Sequence, residues 1–218
     1  MNDTLPPILT FRELDDTREE YDRLRTWLCN PKVREWYGAD DFPLPPSLED
    51  VERKYRVPSL LKKGTHPCCI LADGTPVGYI QYYPLPEQGK EAGAWGVDLF
   101  IGEDRFRDRG IGTLALRAMT RFLFEAKQAR KILIDPDIRN GRAIRCYEKC
   151  GFRPYAREGA FLLMVLDRPA PFEKGCRDII DERRPQPPAG LSRICQTHAV
   201  YPHPSESVPA STSAPTSK

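Results

Sequence analysis

Ile8 to Glu13 reads as a strand, with apolar and polar positions alternating from Leu9 to Arg12. The period then changes. Thr17 with Glu20 three residues later forms a capping box that opens an amphipathic helix to about Cys29. Pro31 starts a second short helical turn ending at Gly38, and Ser47 with Asp50 opens another helix towards Tyr55 and Pro58. Cys68 to Ala72 and Pro76 to Tyr83 read as a hairpin around Asp73-Gly74, a pair that supplies the positive backbone angles of a tight turn. A strand at Ala94 to Ile101 precedes a helix from Ile111 to Lys127, where Leu114, Leu116, Met119, Phe122 and Leu123 recur at helical spacing. Lys131 to Ile134 is a compact strand, about Arg142 to Lys149 a helix closed by Gly151, and Phe152 to Arg157 with Ala160 to Leu166 a strand pair. This order predicts an α/β (α+β) domain, a mixed sheet with helices on its faces and no internal repeat.

Composition changes the picture at one place. Nine of the 22 prolines follow Arg168, and Ser205 to Lys218 is almost entirely Ser, Pro, Ala and Thr. Such a stretch buries too little apolar surface to offset its ordering entropy. We therefore expect a folded domain over 1–168 and a largely disordered Pro/Ser-rich tail over 169–218, with only Phe172 to Arg184 able to hold a short helix. The longest apolar run, Phe161 to Leu166, is far below a membrane span, and no basic start followed by an apolar stretch marks a secretory signal. Seven scattered cysteines fit a reducing compartment, so the cytoplasm is expected. With 33 Lys+Arg against 31 Asp+Glu the net charge is +2, which argues against a nucleic-acid binder.

The strongest local feature is Arg107-Asp108-Arg109-Gly110-Ile111-Gly112, after a strand and before the long helix. Its glycines let the backbone curl so that several N–H groups aim at one anion, where the helix N-terminus adds partial positive charge. The spacing R-x-x-G-x-G is neither that of a dinucleotide fingerprint nor that of a nucleoside-triphosphate loop. On these six residues alone, a pyrophosphate cradle and an unliganded turn are equally open readings. A second block, Asn140 to Phe152 with Cys146-Tyr147-Glu148 at its centre, follows the strand end Ile134-Asp135-Pro136.

Together these blocks resemble the acetyl-CoA-binding motifs of the GCN5-related N-acetyltransferase (GNAT) superfamily over roughly residues 8 to 168. Gly96 to Gly102, Arg142 to Phe152, Gly78-Tyr79-Ile80-Gln81, and Trp27-Leu28 with Trp36-Tyr37-Gly38 are similar to the aminoglycoside 6'-N-acetyltransferases. The resemblance implies a mostly antiparallel sheet of about seven strands flanked by about four helices. It implies acetyl-CoA as co-substrate, held by Arg107, Asp108, Arg109, Gly110, Ile111, Gly112 and Thr113, by the backbone of Leu99, Phe100 and Ile101, and by Asn140, Ala143 and Tyr147. It further implies that Asp98 binds or deprotonates the reactive amine, that Asp135 also faces the substrate, and that Tyr147 protonates the departing thiolate.

The chemistry agrees with those assignments. An ammonium must lose its proton before it attacks a thioester; a carboxylate attracts it and takes the proton directly or through water. An ordinary carboxylate, with a pKa of ~4, is a weak base near neutrality, so proximity has to supply much of the effect. A plain alternative stands beside each: Asp98 as a strand carboxylate paired with an arginine, Tyr147 as a packed helix residue. Glu35, Asp40 and Asp41 flank Trp36 and Tyr37, and Glu158 precedes the last strand; acids beside flat rings suit a polycationic sugar. Tyr55, Gln81 and Tyr83 are further candidates for the same cleft.

No metal is expected. Cys176, Cys195, His198 and His203 have a spacing that fits no compact zinc finger. The expected partners are acetyl-CoA and an aminoglycoside, with no nucleic acid and no membrane, in a monomer or homodimer. The rival readings are a GNAT acting on a protein N-terminus or a siderophore hydroxylysine, and a non-catalytic CoA-binding module using the tail as a docking segment.

Overall fold

The structure, a computed structural model, describes residues 7–37, 45–86 and 92–169. Gly38, Asp40 and Asp41 lie outside the described residues, as do Cys176, Cys195, His198, His203 and the expected tail apart from Pro169.

Seven strands form one sheet: β1 (Leu9–Glu13), β2 (His66–Ala72), β3 (Thr75–Pro84), β4 (Ala94–Ile101), β5 (Lys131–Ile134), β6 (Arg153–Glu158) and β7 (Phe161–Asp167), in the order β1-β2-β3-β4-β5-β7-β6. Every neighbouring pair is antiparallel except β4 with β5, which agrees with the expected mixed, mostly antiparallel sheet. The β2–β3 turn has Asp73 at φ 47° and Gly74 at φ 76°, as the Asp-Gly pair predicts.

The helices among the described residues are α1 (Arg18–Cys29), α2 (Pro31–Arg34), α3 (Leu48–Tyr55), α4 (Val57–Lys62), α5 (Ile111–Glu125) and α6 (Gly141–Lys149). Four of them, α1, α3, α5 and α6, are the expected flanking helices; α2 is the short turn expected from Pro31, and α4 is an addition that proline explains. Pro31 and Pro58 have no N–H to donate back to Trp27 and Lys54, and their rings clash with those carbonyls. The chain breaks at Asn30 and Arg56 and restarts, with each proline in the first turn of the next helix. Pro58 thus begins a helix rather than ending one.

Ser47 and Asp50 form both arms of the expected capping box. At α1 only one arm forms: Thr17 Oγ1 accepts from Glu20 N, while the Glu20 carboxylate turns to Arg12 and Arg23, each at 2.6 Å.

Strand alternation divides the core. Cys68, Ile70, Ile80, Tyr82 and Val97 face α5 and α6, while Cys69, Tyr79 and Phe100 face α1 and α3. The parallel contact that positions the site is short. Ala94 to Gly96 pair with Lys131 to Leu133, and beyond Gly96 the two strands no longer pair. β4 continues to Ile101, so its far end has no strand on the β5 side, and a wedge opens between Asp98–Ile101 and the end of β5.

Candidate active site

A cleft of about 390 Å³ occupies that wedge. One wall is the far end of β4, from Asp98 to Ile101; another is the Asp108–Thr113 turn at the start of α5; α6 closes the third side through Arg142, Cys146 and Tyr147. α2 and the turn after it roof one end with Val33, Trp36 and Tyr37, and Asp135 stands where β5 stops.

The turn is built to receive an anion. Asp108 (φ 58°) and Gly110 (φ 78°) are both left-handed, so the chain folds back and enters α5 with no side-chain cap and no acid in the first turn. The first N–H groups of α5 are left for a ligand. A Cβ on Gly112 would touch only Ile101 Cγ1 at 3.9 Å and Cys146 Sγ at 4.0 Å, so that side of the turn is open. Around it stand Lys32, Arg142, Arg145 and Lys149. These features fit a pyrophosphate.

Of the expected cofactor contacts, Leu99, Phe100, Ile101, Arg107, Asp108, Gly110, Ile111, Gly112, Thr113, Asn140, Ala143 and Tyr147 line the cleft and Arg109 does not. Two of them have internal work. Arg107 is 8 % exposed; its Nε donates to the Ile101 carbonyl at 2.9 Å and its Nη1 lies 3.3 Å from Asp104, so its guanidinium ties the turn to β4. Asn140 accepts from Ala143 N at 3.0 Å and caps α6.

Asp98 is the centre of the polar end. Its strand partner Gln81 donates from Nε2 to Asp98 Oδ2 at 2.6 Å, and the Gln81 oxygen accepts from the Tyr79 hydroxyl at 2.7 Å, which fixes the amide's orientation. The Tyr83 hydroxyl donates to the same carboxylate. That reach depends on Gly96, the strand partner of Tyr83: a Cβ there would fall 2.3 Å from the Tyr83 ring. Burial raises the Asp98 pKa, and the bonds from Gln81 and Tyr83 and the charge of Lys54 oppose the rise.

Asp135 is raised to about 7, first by desolvation and then by the charge of Asp98. Its carboxylate is open to solvent, yet the walls of the cleft surround it and concentrate its field. Tyr147 is pushed well above the phenol range by burial, then by the charges of Cys146, Asp98 and Asp135. Its hydroxyl keeps its proton.

Among the expected substrate contacts, Trp36, Tyr37, Asp98 and Asp135 line the cleft; Tyr55, Gln81, Tyr83 and Glu158 do not. Gln81 and Tyr83 act on Asp98. Tyr55 is 2 % exposed and packs edge-on against Tyr79 with ring centroids 5.5 Å apart, beneath the site. Glu158 is an exposed residue of β6 whose charge reaches Asp135. Tyr79 is a support that sequence reasoning did not single out. Its signal was present, because positions 79, 81 and 83 of one strand share a face. Phe106, Asp137 and Phe161 also line the cleft and carried no signal in the sequence.

No helix of the described residues is long and apolar enough to cross a membrane, and no group of three His, Cys, Asp or Glu among them is placed to hold a metal ion.

Comparison with known proteins matches residues 16–158 to the family described as acetyltransferase (GNAT) domain. The chain is 31% identical over 169 residues to the aminoglycoside N(6')-acetyltransferase type 1 of Klebsiella pneumoniae, an alignment covering 72% of this chain and 83% of that protein. Among solved structures, the aminoglycoside acetyltransferase AAC(6')-Ib in complex with coenzyme A superposes with a TM-score of 0.65 at 30% identity, covering 74% of this chain and 95% of that one. The same enzyme with coenzyme A and kanamycin gives 0.64 at 29% identity, with coverage of 74% and 95%.

Proposed function

The chain belongs to the GNAT acetyltransferase family, and from that premise we propose that it moves the acetyl group of acetyl-CoA to the 6'-amine of aminoglycoside antibiotics. The observation that carries this reading is the cleft itself, which sets an anion cradle at the N-terminus of α5 beside two carboxylates, Asp98 and Asp135, under the rings of Trp36 and Tyr37. Acetyl-CoA supplies the activated acyl group.

The residues divide the work. The Gly110–Thr113 turn binds the pyrophosphate, and the free edge at Leu99 to Ile101 aligns the pantetheine arm. Asp98 and Asp135 draw in an ammonium, and Asp98 takes its proton. The raised pKa brings that carboxylate closer to the working pH, which strengthens it as a base. Tyr147 gives a proton to the thiolate as it leaves, with attack by the amine direct and no acyl-enzyme. Converting an ammonium into a neutral amide weakens a drug whose hold on ribosomal RNA depends on charge, so cells carrying the protein become resistant.

This reading assigns catalysis to the domain over 1–168. Its test is thiol release from acetyl-CoA with kanamycin or tobramycin, beside an N-terminal peptide amine and a hydroxylysine. Release with the aminoglycosides and not with the other amines is expected. Coenzyme A binding with no release on any amine points to the non-catalytic module.

A further inference from the structure

The described cysteines differ in placement. Cys68 and Cys69 are buried in β2, and burial pushes their thiols up to about 12 and about 11. Cys146 instead lines the cleft from α6. Its Sγ lies 3.2 Å from Thr113 Oγ1 and about one van der Waals contact from where Gly112 turns, so it borders the anion cradle. One helical turn on, Cys150 has its Sγ 3.6 Å from the Thr113 carbonyl and within hydrogen-bonding reach of Cys146, so its one S–H can turn to either acceptor. The two thiols and Thr113 form a closed polar cluster joining α6 to the first turn of α5. Nothing in the acetyl transfer uses either sulfur.

We propose that Cys146 is a thiol-modification site, with Cys150 as its resolving partner, through which small disulfides of the glutathione type shut the coenzyme A cradle. This rests on the reading of the cleft as a coenzyme A site. The bond from Cys150 first, then that from Thr113 and the charges of Lys149 and Arg142, favour a thiolate on Cys146 against the opposing effect of burial, while Cys150, facing that thiolate, is raised. One thiol is thus the attacking group and the other the reserve.

The steps balance. Cys146 thiolate attacks one sulfur of RSSR, an S–S bond to the protein forms, the R–S–S–R bond breaks, and RS⁻ departs and takes up the proton that Cys146 gave up. Cys150 then loses its proton, attacks Cys146 Sγ, and a second RS⁻ leaves with that proton. Two protein thiols are oxidised and one RSSR is reduced to two RSH. Either product disturbs the cradle. The mixed disulfide places its R group in the cleft. The internal disulfide asks Cβ atoms one helical turn apart, ~5–6 Å, to close to ~4 Å, which distorts the last turn of α6 and draws Cys146 away from Thr113.

The test treats the full chain with oxidised glutathione, with and without coenzyme A, and follows each cysteine by peptide mass spectrometry and coenzyme A binding by calorimetry. Cys146 should react about tenfold faster than Cys29, and coenzyme A should slow it. The oxidised protein should bind coenzyme A at least about tenfold more weakly and recover with dithiothreitol. Cys150→Ser should retain the glutathione adduct, and Cys146→Ser should bind coenzyme A equally before and after treatment. The proposal is overturned if untreated protein binds coenzyme A but Cys146 reacts no faster than Cys29, or if the oxidised protein binds it unchanged. Failure of the untreated protein to bind coenzyme A overturns the reading of the cleft itself.

Discussion

Gln81 and Asp98 sit directly opposite each other on β3 and β4, joined by a 2.6 Å hydrogen bond from Gln81 Nε2 to Asp98 Oδ2. This bond favours the charged carboxylate in a place where burial favours the neutral one. Replacing Asp98 by Asn should lower kcat by ~10²- to 10⁴-fold and leave coenzyme A binding nearly intact, as measured by thiol release and calorimetry. Gln81→Ala removes the opposing bond, so the Asp98 pKa rises further. The acid limb of the pH–rate profile should move to higher pH, while the rate on the alkaline side of that limb falls much less than in Asp98→Asn.

Asp135 gives a second pH signature. With its pKa raised to about 7 by desolvation between the cleft walls and then by the charge of Asp98, it is largely neutral below that value and largely charged above it. Binding of a polycationic substrate, read as kcat/KM, should therefore improve as pH rises through about 7. Asp135→Asn should flatten that step, and because a like charge is gone, should shift the limb due to Asp98 to lower pH. Stability moves in the opposite sense. Between the ordinary value of 3.8 and about 7 the folded chain holds the proton more tightly than the unfolded one, so this group costs stability as pH rises through that window. Asp135→Asn should then melt higher than the parent at about pH 8, with the gap closing on acidification; an equal gap at every pH would remove Asp135 as its source.

The two glycines of the cradle should fail differently when enlarged. Gly110 has φ 78° with nothing near its missing Cβ, so Gly110→Ala meets no neighbour but strains the backbone, by ~1–2 kcal/mol, and should lower Tm. At Gly112 a Cβ meets protein only at 3.9 and 4.0 Å and otherwise projects towards the ligand. Gly112→Ala should keep its Tm and raise the KM for acetyl-CoA. Equal losses of Tm in both variants would contradict the open side at Gly112.

The parts of this site that were legible in the sequence are those set by local backbone chemistry. The Arg107–Gly112 turn, the Asp-Pro end of β5 and the period of α5 are signals read within a few residues, and each falls where the pattern places it. What was not legible depends on which way a side chain turns once distant elements meet. Arg107 reads as a phosphate ligand until β4 offers its carbonyls, and Tyr83 reads as a cleft residue until Gly96 lets its ring lie across the strand to Asp98. The restart at Pro31 was legible, whereas α4 was not, because the helical pattern opened by Ser47 gives no sign that the chain breaks at Arg56 and begins a new helix around Pro58. The widening of β4 and β5 beyond Gly96 has no local signature at all, since each strand is regular by itself.

Tyr147 offers the sharpest separation of chemistry from packing. Its ring packs against Phe152 with centroids 6.2 Å apart, while burial and the charges of Cys146, Asp98 and Asp135 hold its hydroxyl protonated. Tyr147→Phe keeps the ring and removes only the donor. If the hydroxyl protonates the leaving thiolate, kcat should fall ~10²-fold with little change in Tm or in coenzyme A affinity. The loss should shrink when the acyl donor carries a leaving thiol of low pKa, because such a thiolate departs without a proton. An undiminished loss with that donor would assign Tyr147 to positioning, since a displaced substrate suffers equally whatever the leaving group.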